Sequence, residues 1–118
     1  MAAKDDLGRR GETIAADHLA ASGFRILERN WRCAHGEIDI VAFKDGEVVF
    51  VEVKTRSSLA YGHPLEAITV AKLARLRRLA GAWCQAHPDV RAAVRIDAVA
   101  ILAPTRGLVE IEHLERVF

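Results

Sequence analysis

The chain has 118 residues, of which 17 are Lys or Arg, 16 are Asp or Glu, and 51% are hydrophobic. That is the size and composition of one ordinary globular domain with a single core. No apolar run approaches the roughly 20 residues that span a bilayer, and from the polar first ten residues we expect no signal peptide. We therefore expect one soluble domain, residues 1–118, in the cytoplasm.

Hydrophobic periodicity divides the chain into two helices and five strands. Apolar residues at helical spacing predict a first helix over residues 6–22, ended by Gly23, and a second over residues 64–87. Runs rich in Val, Ile and Phe predict strands over residues 24–31, 94–102 and 108–114, and two more within residues 37–54. The order α-β-β-β-α-β-β favours an α/β fold, with a central mixed sheet flanked by helices.

The dipeptide Asp45-Gly46 is a strong signal for a two-residue hairpin turn. Such a turn sets the register of the two strands, and it predicts that Asp39 lies opposite Glu52 and that Glu37 lies opposite Lys54. These four residues then share one face of the hairpin, because side chains alternate along a strand. The other face is apolar and must be buried, with Ile38, Ile40, Ala42, Val49, Val51 and Val53.

Two opposed carboxylates repel each other by up to roughly 1 kcal/mol, so something must offset Asp39 facing Glu52. A Mg²⁺ or Mn²⁺ ion would do so, because both metals favour oxygen ligands. Lys54 would then supply a positive donor beside the metal, which suits phosphodiester hydrolysis. The alternative is a solvent-facing strand whose carboxylates are screened by salt.

Positive charge is concentrated in residues 54–78, which contain six basic residues and one acidic residue. Lys72, Arg75 and Arg78 recur at three-residue steps along the second predicted helix, and Arg56 directly follows the hairpin. Such a stripe could follow the phosphates of a nucleic acid. The alternative is that these residues are simply the solvated face of the helix.

The stretch GEIDIVAFKDGEVVFVEVKTR, residues 36–56, resembles the PD-(D/E)xK nuclease superfamily, in which an Asp, a later Glu-x-Lys and an earlier helical Glu surround a metal ion. The 13-residue step from Asp39 to Glu52 is similar to that of archaeal Holliday junction resolvases. GRRGETIAADHLAASGF, NWRCAHGEIDIVA, FVEVKTR and GHPLEAIT resemble still more closely the bacterial YraN family of predicted endonucleases. The resemblance covers nearly the whole chain and implies a restriction-endonuclease-like fold.

The resemblance also implies residue roles. Asp39 and Glu52 would ligate Mg²⁺ or Mn²⁺, with the backbone carbonyl of Val53 as a third oxygen. Lys54 would be the catalytic lysine. Glu12 would reach the metal from the first helix, directly or through water.

Glu37 and Ile38 directly precede Asp39 in the motif. Glu37 recurs in the family motif, and its predicted position opposite Lys54 suggests that it orients the lysine and does not ligate the metal. Ile38 stands where the superfamily has a weakly kept Pro.

The implied function is a metal-dependent DNA endonuclease, with branched DNA as one candidate substrate and a homodimer as the assembly. An RNA nuclease would use the same residues. A non-catalytic protein that binds nucleic acid or a DNA-processing partner on the same fold is the other alternative. The location of Glu12 separates the enzyme from the binding protein, because only a nuclease needs Glu12 to face the hairpin carboxylates.

Overall fold

The computed structural model describes residues 3–118, with side chains described from Asp6 onward, and it confirms the predicted α/β fold. Two helices, α1 (Ala3–Ala21) and α2 (Val70–Ala86), flank a five-stranded sheet. The strands are β1 (Arg25–Cys33), β2 (Gly36–Lys44), β3 (Glu47–Arg56), β4 (Ala93–Leu102) and β5 (Glu110–Leu114). They lie side by side in chain order, and β3 and β4 pair in parallel while the other neighbours are antiparallel. The parallel pair needs a long crossover, and α2 provides it.

Helix α1 ends as the position of Gly23 predicts. Gly23 has a φ of 93°, a left-handed conformation that glycine adopts without steric cost. The backbone N–H of Phe24 donates to the carbonyl of Leu19 at 2.9 Å, and the N–H of Gly23 donates to that of Ala20 at 3.1 Å. This pair of bonds is a Schellman motif, which satisfies the last carbonyls of the helix and turns the chain into β1.

The prediction of one continuous second helix over residues 64–87 is wrong at its start. Pro64–Ala67 forms a separate 3-10 turn, capped by the side chains of His63 and Glu66. The chain is extended at Ile68, and α2 begins after Thr69, whose hydroxyl accepts a bond from the backbone N–H of Lys72 at 3.2 Å. Two N-terminal caps therefore lie within seven residues, and each starts its own helical segment.

The sheet separates two apolar layers. α1 packs against one face in a cluster that includes Leu19 and Val51, and α2 packs against the other in a cluster that includes Phe50, Leu76 and Trp83. Burying a side chain of this kind contributes about 1.5–3 kcal/mol. These layers hold the helices on opposite faces of the sheet. None of the helices in the described range is both long enough and apolar enough to cross a bilayer.

The hairpin turn forms at the predicted position. Asp45 has a φ of 52° and Gly46 a φ of 79°, and two positive values characterise a type I′ turn. The predicted register is confirmed from Lys44 opposite Glu47 to Ile40 opposite Val51. The ladder between β2 and β3 ends there.

The predicted pairs beyond that point, Asp39 with Glu52 and Glu37 with Lys54, are therefore wrong as cross-strand pairs. In place of a ladder bond, the backbone N–H of Val53 donates to the Asp39 carboxylate at 2.9 Å. β3 nevertheless continues to Arg56, because β4 pairs with it along its whole length. The separation of β2 from β3 opens the sheet at this end.

A buried polar cluster lies toward the other end of β3. Arg95 donates two hydrogen bonds of 2.9 Å to Asp97, and His113 contacts the same carboxylate at 2.8 Å. Burial opposes ionisation, but hydrogen bonds from His113, Arg95 and the Arg116 backbone lower the pKa of Asp97 to about 2. Arg116 also pairs with Glu47 at the start of β3. The cluster ties β3, β4 and the end of the chain together.

Candidate active site

The regular alternation of β2 side chains between the two faces of the sheet is interrupted at Asp39. Ile38 packs in the cluster on the α2 side of the sheet, whereas Ile40 packs in the cluster on the α1 side. Residues two apart on a regular strand would share a face, so the prediction that Ile38 and Ile40 do so is wrong. The irregularity lies at the residue between them.

The neighbouring strand is also irregular at this point. In the ladder between β1 and β2, the pairs on either side of Asp39 keep one register, which places Asn30 opposite Asp39. Asn30 has a φ of 54°, a left-handed conformation that asparagine tolerates better than most residues. The backbone of β1 is therefore irregular opposite the residue at which β2 changes face.

Three carboxylates lie close together at the point where β2 changes face. Oxygen atoms of Glu12 on α1 and of Glu37 and Asp39 on β2 all lie within 4.8 Å of one another, and all three side chains are partly buried. Ligands at 2.1 Å in an octahedron lie about 3.0–4.2 Å apart, so small side-chain rotations would bring these oxygens into the coordination shell of Mg²⁺ or Mn²⁺. The donor set is all oxygen, which fits these hard cations.

The clustered charge shifts the ionisation of its members. Burial raises the pKa of Asp39 to about 8, with the charges of Glu52, Glu12 and Glu37 adding to the effect and the bond from Val53 opposing it. Burial, followed by the charge of Glu37, also raises the pKa of Glu12, against the opposing effects of Arg29 and Asn30. A positive ion between the carboxylates would favour their charged forms.

Glu37 lies in the acidic group beside Glu12 and Asp39. Its carboxylate also accepts a hydrogen bond of 2.6 Å from Nε of Arg32. Arg32 pairs with Glu37 in the ladder between β1 and β2. Sequence reasoning missed Arg32 because the register of β1 was not predicted.

Glu52 lies outside the group of three, although its charge still raises the pKa of Asp39. Burial raises the pKa of Glu52 itself, and the positive charges of Arg75, Lys72 and Lys54 oppose that shift. Glu52 therefore stands between the acidic group and the basic face of α2. The two predicted functional features, acidic hairpin and basic helix, adjoin each other at this residue.

A cleft of about 900 Å³ opens beside the carboxylates on the α1 side of the sheet. Glu12, Glu37 and Lys54 all line it, as do the backbone or side chains of Val53 and Arg56. The cleft thus brings the predicted helical glutamate and the predicted lysine to one space. Asp39 lies beside the same region, because its carboxylate is within 4.8 Å of that of Glu12 and accepts a hydrogen bond from the N–H of Val53.

The predicted basic stripe is exposed on α2. Arg75 and Arg78 line a second groove of about 560 Å³ together with His35, from the turn between β1 and β2. Lys72 lies nearer the start of the helix, where its charge acts on Glu52. The stripe therefore does not line the cleft, but Lys72 and Arg75 lie close enough to Glu52 to affect its ionisation.

Comparison with known proteins decides the family. A family model described as "Uncharacterised protein family UPF0102" matches residues 11–101. The chain belongs to UPF0102, the YraN family. The UPF0102 match runs from Gly11 in α1 to Ile101 in β4, and it includes every residue that the sequence predicts to act in the site.

Full-length relatives agree with this membership. A UPF0102 protein of Clavibacter michiganensis subsp. michiganensis is 60% identical over 112 residues, 95% of each chain. One of Arthrobacter sp. is 57% identical over 117 residues, 99% of each chain, and one of Frankia casuarinae is 51% identical over 119 residues, the whole of each chain. The names of these relatives give their family alone, so the activity has to be argued from the site.

Proposed function

We propose that this UPF0102 protein is a metal-dependent endonuclease of the cytoplasm that hydrolyses phosphodiester bonds in DNA. One observation carries the proposal: Glu12 of α1 lies close to Glu37 and Asp39 of β2, beside a cleft that Glu12, Glu37 and Lys54 line. A helix and two strands thus contribute carboxylates and a lysine to one place. A protein that only binds nucleic acid has no need for three partly buried carboxylates in its cleft, because they repel phosphate.

The metal would be held by Glu12, Glu37 and Asp39, with Glu52 and the Val53 carbonyl as the further oxygens that the family resemblance implies. When bound, Mg²⁺ or Mn²⁺ polarises a phosphoryl oxygen and lowers the pKa of a coordinated water. Asp39 is held in place by the N–H of Val53, and Glu37 by Arg32. These bonds fix the carboxylates before substrate arrives, which limits the cost of reorganisation during the reaction.

Lys54 would act on the substrate itself. Its ammonium group can donate hydrogen bonds to a phosphoryl oxygen on which negative charge builds up in the transition state. Arg56, two residues further along β3, lines the same cleft and would hold an adjacent phosphate. Lys72, Arg75 and Arg78 would contact phosphates of the same DNA beyond Glu52, where they position the substrate without reading its sequence.

The test is cleavage of linear duplex, flap and four-way-junction DNA by purified protein with Mg²⁺ or Mn²⁺, for wild type and Lys54→Ala. We expect Lys54→Ala to cut at least about 100-fold more slowly, the typical effect of removing one donor that stabilises transition-state charge. DNA binding should change little, since Lys54 would bind only one of the many phosphates that the protein holds. Lys44→Ala is the matched control, because Lys44 lies in the same hairpin but bonds to the carbonyl of Ser22, away from the cleft.

The outcomes separate the candidate functions. Equal cutting by wild type and Lys54→Ala would show that the lysine has no catalytic role or that the activity is a contaminant. Wild type that binds these DNAs but cuts none of them would support the non-catalytic binding protein instead.

A further inference from the structure

Tyr61 is an aromatic residue that belongs to neither apolar cluster of the described residues. Its side chain is 87% exposed, and among the described residues it has no hydrogen bond and no ring contact. The other six aromatic side chains all have partners: they lie in or against the apolar clusters or, for Phe118, contact Arg77. Tyr61 nevertheless lines the cleft that holds Glu12 and Lys54.

The loop that carries Tyr61 is held on both sides. On one side the N–H of Gly62 donates to the carbonyl of Leu59 at 3.0 Å, across Tyr61. On the other, the N–H of His63 donates to the Glu66 carboxylate at 2.6 Å, and Gly62 has a φ of 98° that glycine adopts readily. The side chains of His63 and Glu66 cap the 3-10 turn that follows the loop. The ring is thus presented by an ordered loop, which reduces the entropy lost when a ligand contacts it.

Arg56 lies at the start of the same loop and lines the same cleft. Its side chain makes no ion pair or hydrogen bond with the residues that the structure describes, and its Nε is buried without a partner. A buried donor without a protein partner is rare in folded proteins, and a water, ion or other bound acceptor is one way in which it is satisfied. The guanidinium is therefore not committed to a carboxylate, unlike that of Arg32.

We infer that Tyr61 and Arg56 form a nucleotide subsite, in which the ring stacks on an unpaired base and the guanidinium binds the adjacent phosphate. The preferred ligand of the cleft is accordingly DNA with an unpaired nucleotide, such as a single-stranded end. Within a continuous duplex both faces of each base are already stacked, so Tyr61 has no face to contact. This inference rests on the proposed function for the identity of the ligand as DNA.

The experiment measures binding of a fluorescein-labelled 12-nucleotide single strand and of the matching blunt-ended duplex, which has no unpaired nucleotide, by anisotropy, in EDTA to prevent cutting. Tyr61→Ala should weaken single-strand binding roughly 5- to 150-fold, the range for removal of one base–aromatic stack, and duplex binding less than about twofold. Tyr61→Phe should retain wild-type binding because it keeps the ring. Leu59→Ala is the matched control, since Leu59 is 57% exposed in the same loop and lines a different groove.

Three results would overturn the inference. Wild type could fail to bind the single strand, Tyr61→Ala could bind it as wild type does, or Tyr61→Phe could lose as much affinity as Tyr61→Ala. A nuclease assay on the same variants keeps this inference distinct from the proposed function. Tyr61-dependent single-strand binding by a protein that cuts nothing would support the subsite and reject the nuclease. If Tyr61→Ala binds and cuts the single strand as wild type does, the nuclease is supported and the subsite is rejected.

Discussion

Gly11 of α1 packs directly against Thr55 of β3, with no room for a side chain at position 11. A β-carbon built on Gly11 would overlap the hydroxyl, Cβ and methyl group of Thr55. Gly11 precedes Glu12, and Thr55 follows Lys54. The close approach of Gly11 to Thr55 therefore sets how near Glu12 lies to the strand that carries the lysine.

Gly11→Ala should destabilise the protein, although alanine is about 1 kcal/mol better than glycine in a helix. Because the methyl group must push α1 away from β3, we expect a net loss of about 1–3 kcal/mol in the free energy of unfolding. Gly8→Ala is the control, since a β-carbon at Gly8 meets nothing within 4 Å. Urea denaturation should show Gly8→Ala slightly more stable than wild type and Gly11→Ala less stable. Equal stabilisation of both variants would contradict the close packing.

Asp39→Asn should weaken Mn²⁺ binding more than tenfold, because it removes one charge from the group formed with Glu12 and Glu37. Asparagine can still accept the bond from Val53, so the fold should be kept. Asp45→Asn is the control, as it makes the same change at the exposed hairpin turn. Calorimetry that finds equal Mn²⁺ affinity in all three proteins would refute the site, and the double variant Asp39→Asn/Glu52→Gln should bind least.

The pH dependence of stability should also reveal Asp39. Its pKa is about 8 in the fold and 3.8 in the unfolded chain, so between these values the folded state holds a proton that the unfolded state has lost. Stability in EDTA should therefore fall as the pH rises, by up to about 1.4 kcal/mol per pH unit, and the Asp39 contribution should level off above pH 8. Thermal melts from pH 5 to 8 check this. Asp39→Asn should flatten the slope and Asp45→Asn should not.

The hairpin illustrates what the sequence can predict. Asp45-Gly46 defines one turn type, and the turn type defines the register, so the pairs from Lys44–Glu47 to Ile40–Val51 followed from local chemistry. The register could not be extended to Asp39, where β2 changes face opposite a left-handed residue, Asn30, in a different strand. Where two strands are not joined by a tight turn, the local sequence contains little information about how they pair.

The composition of the acidic group shows the same limit. Family resemblance placed Glu12 and Asp39 in one site, and the structure brings them together. The predicted hairpin register placed Glu37 opposite Lys54 and Asp39 opposite Glu52, because it assumed that side chains alternate regularly along β2. The signal that could have corrected this is Asn30, a residue tolerant of left-handed backbone in an otherwise regular strand pattern.

The basic face of α2 should bind DNA through local phosphate contacts and not through net charge alone. Lys72, Arg75 and Arg78 are exposed, and two of them lie close enough to Glu52 to affect its ionisation. Replacing the three by Ala should reduce the slope of log K against log salt by up to about 0.9 for each duplex phosphate that is no longer neutralised. DNA binding measured from 50 to 300 mM salt gives that slope.

The control for this prediction removes the same total charge from other parts of the surface. Arg25, Arg91 and Arg106 are exposed and lie outside α2, so their triple replacement by Ala lowers the net charge equally. A general electrostatic attraction would weaken binding in both triple variants by similar factors, because it depends on total charge. If α2 binds phosphates, the slope of log K against log salt should change only in the variant that lacks Lys72, Arg75 and Arg78. If the two variants have the same slope, the stripe is no more than the solvated face of the helix, and the DNA must follow another path from the cleft.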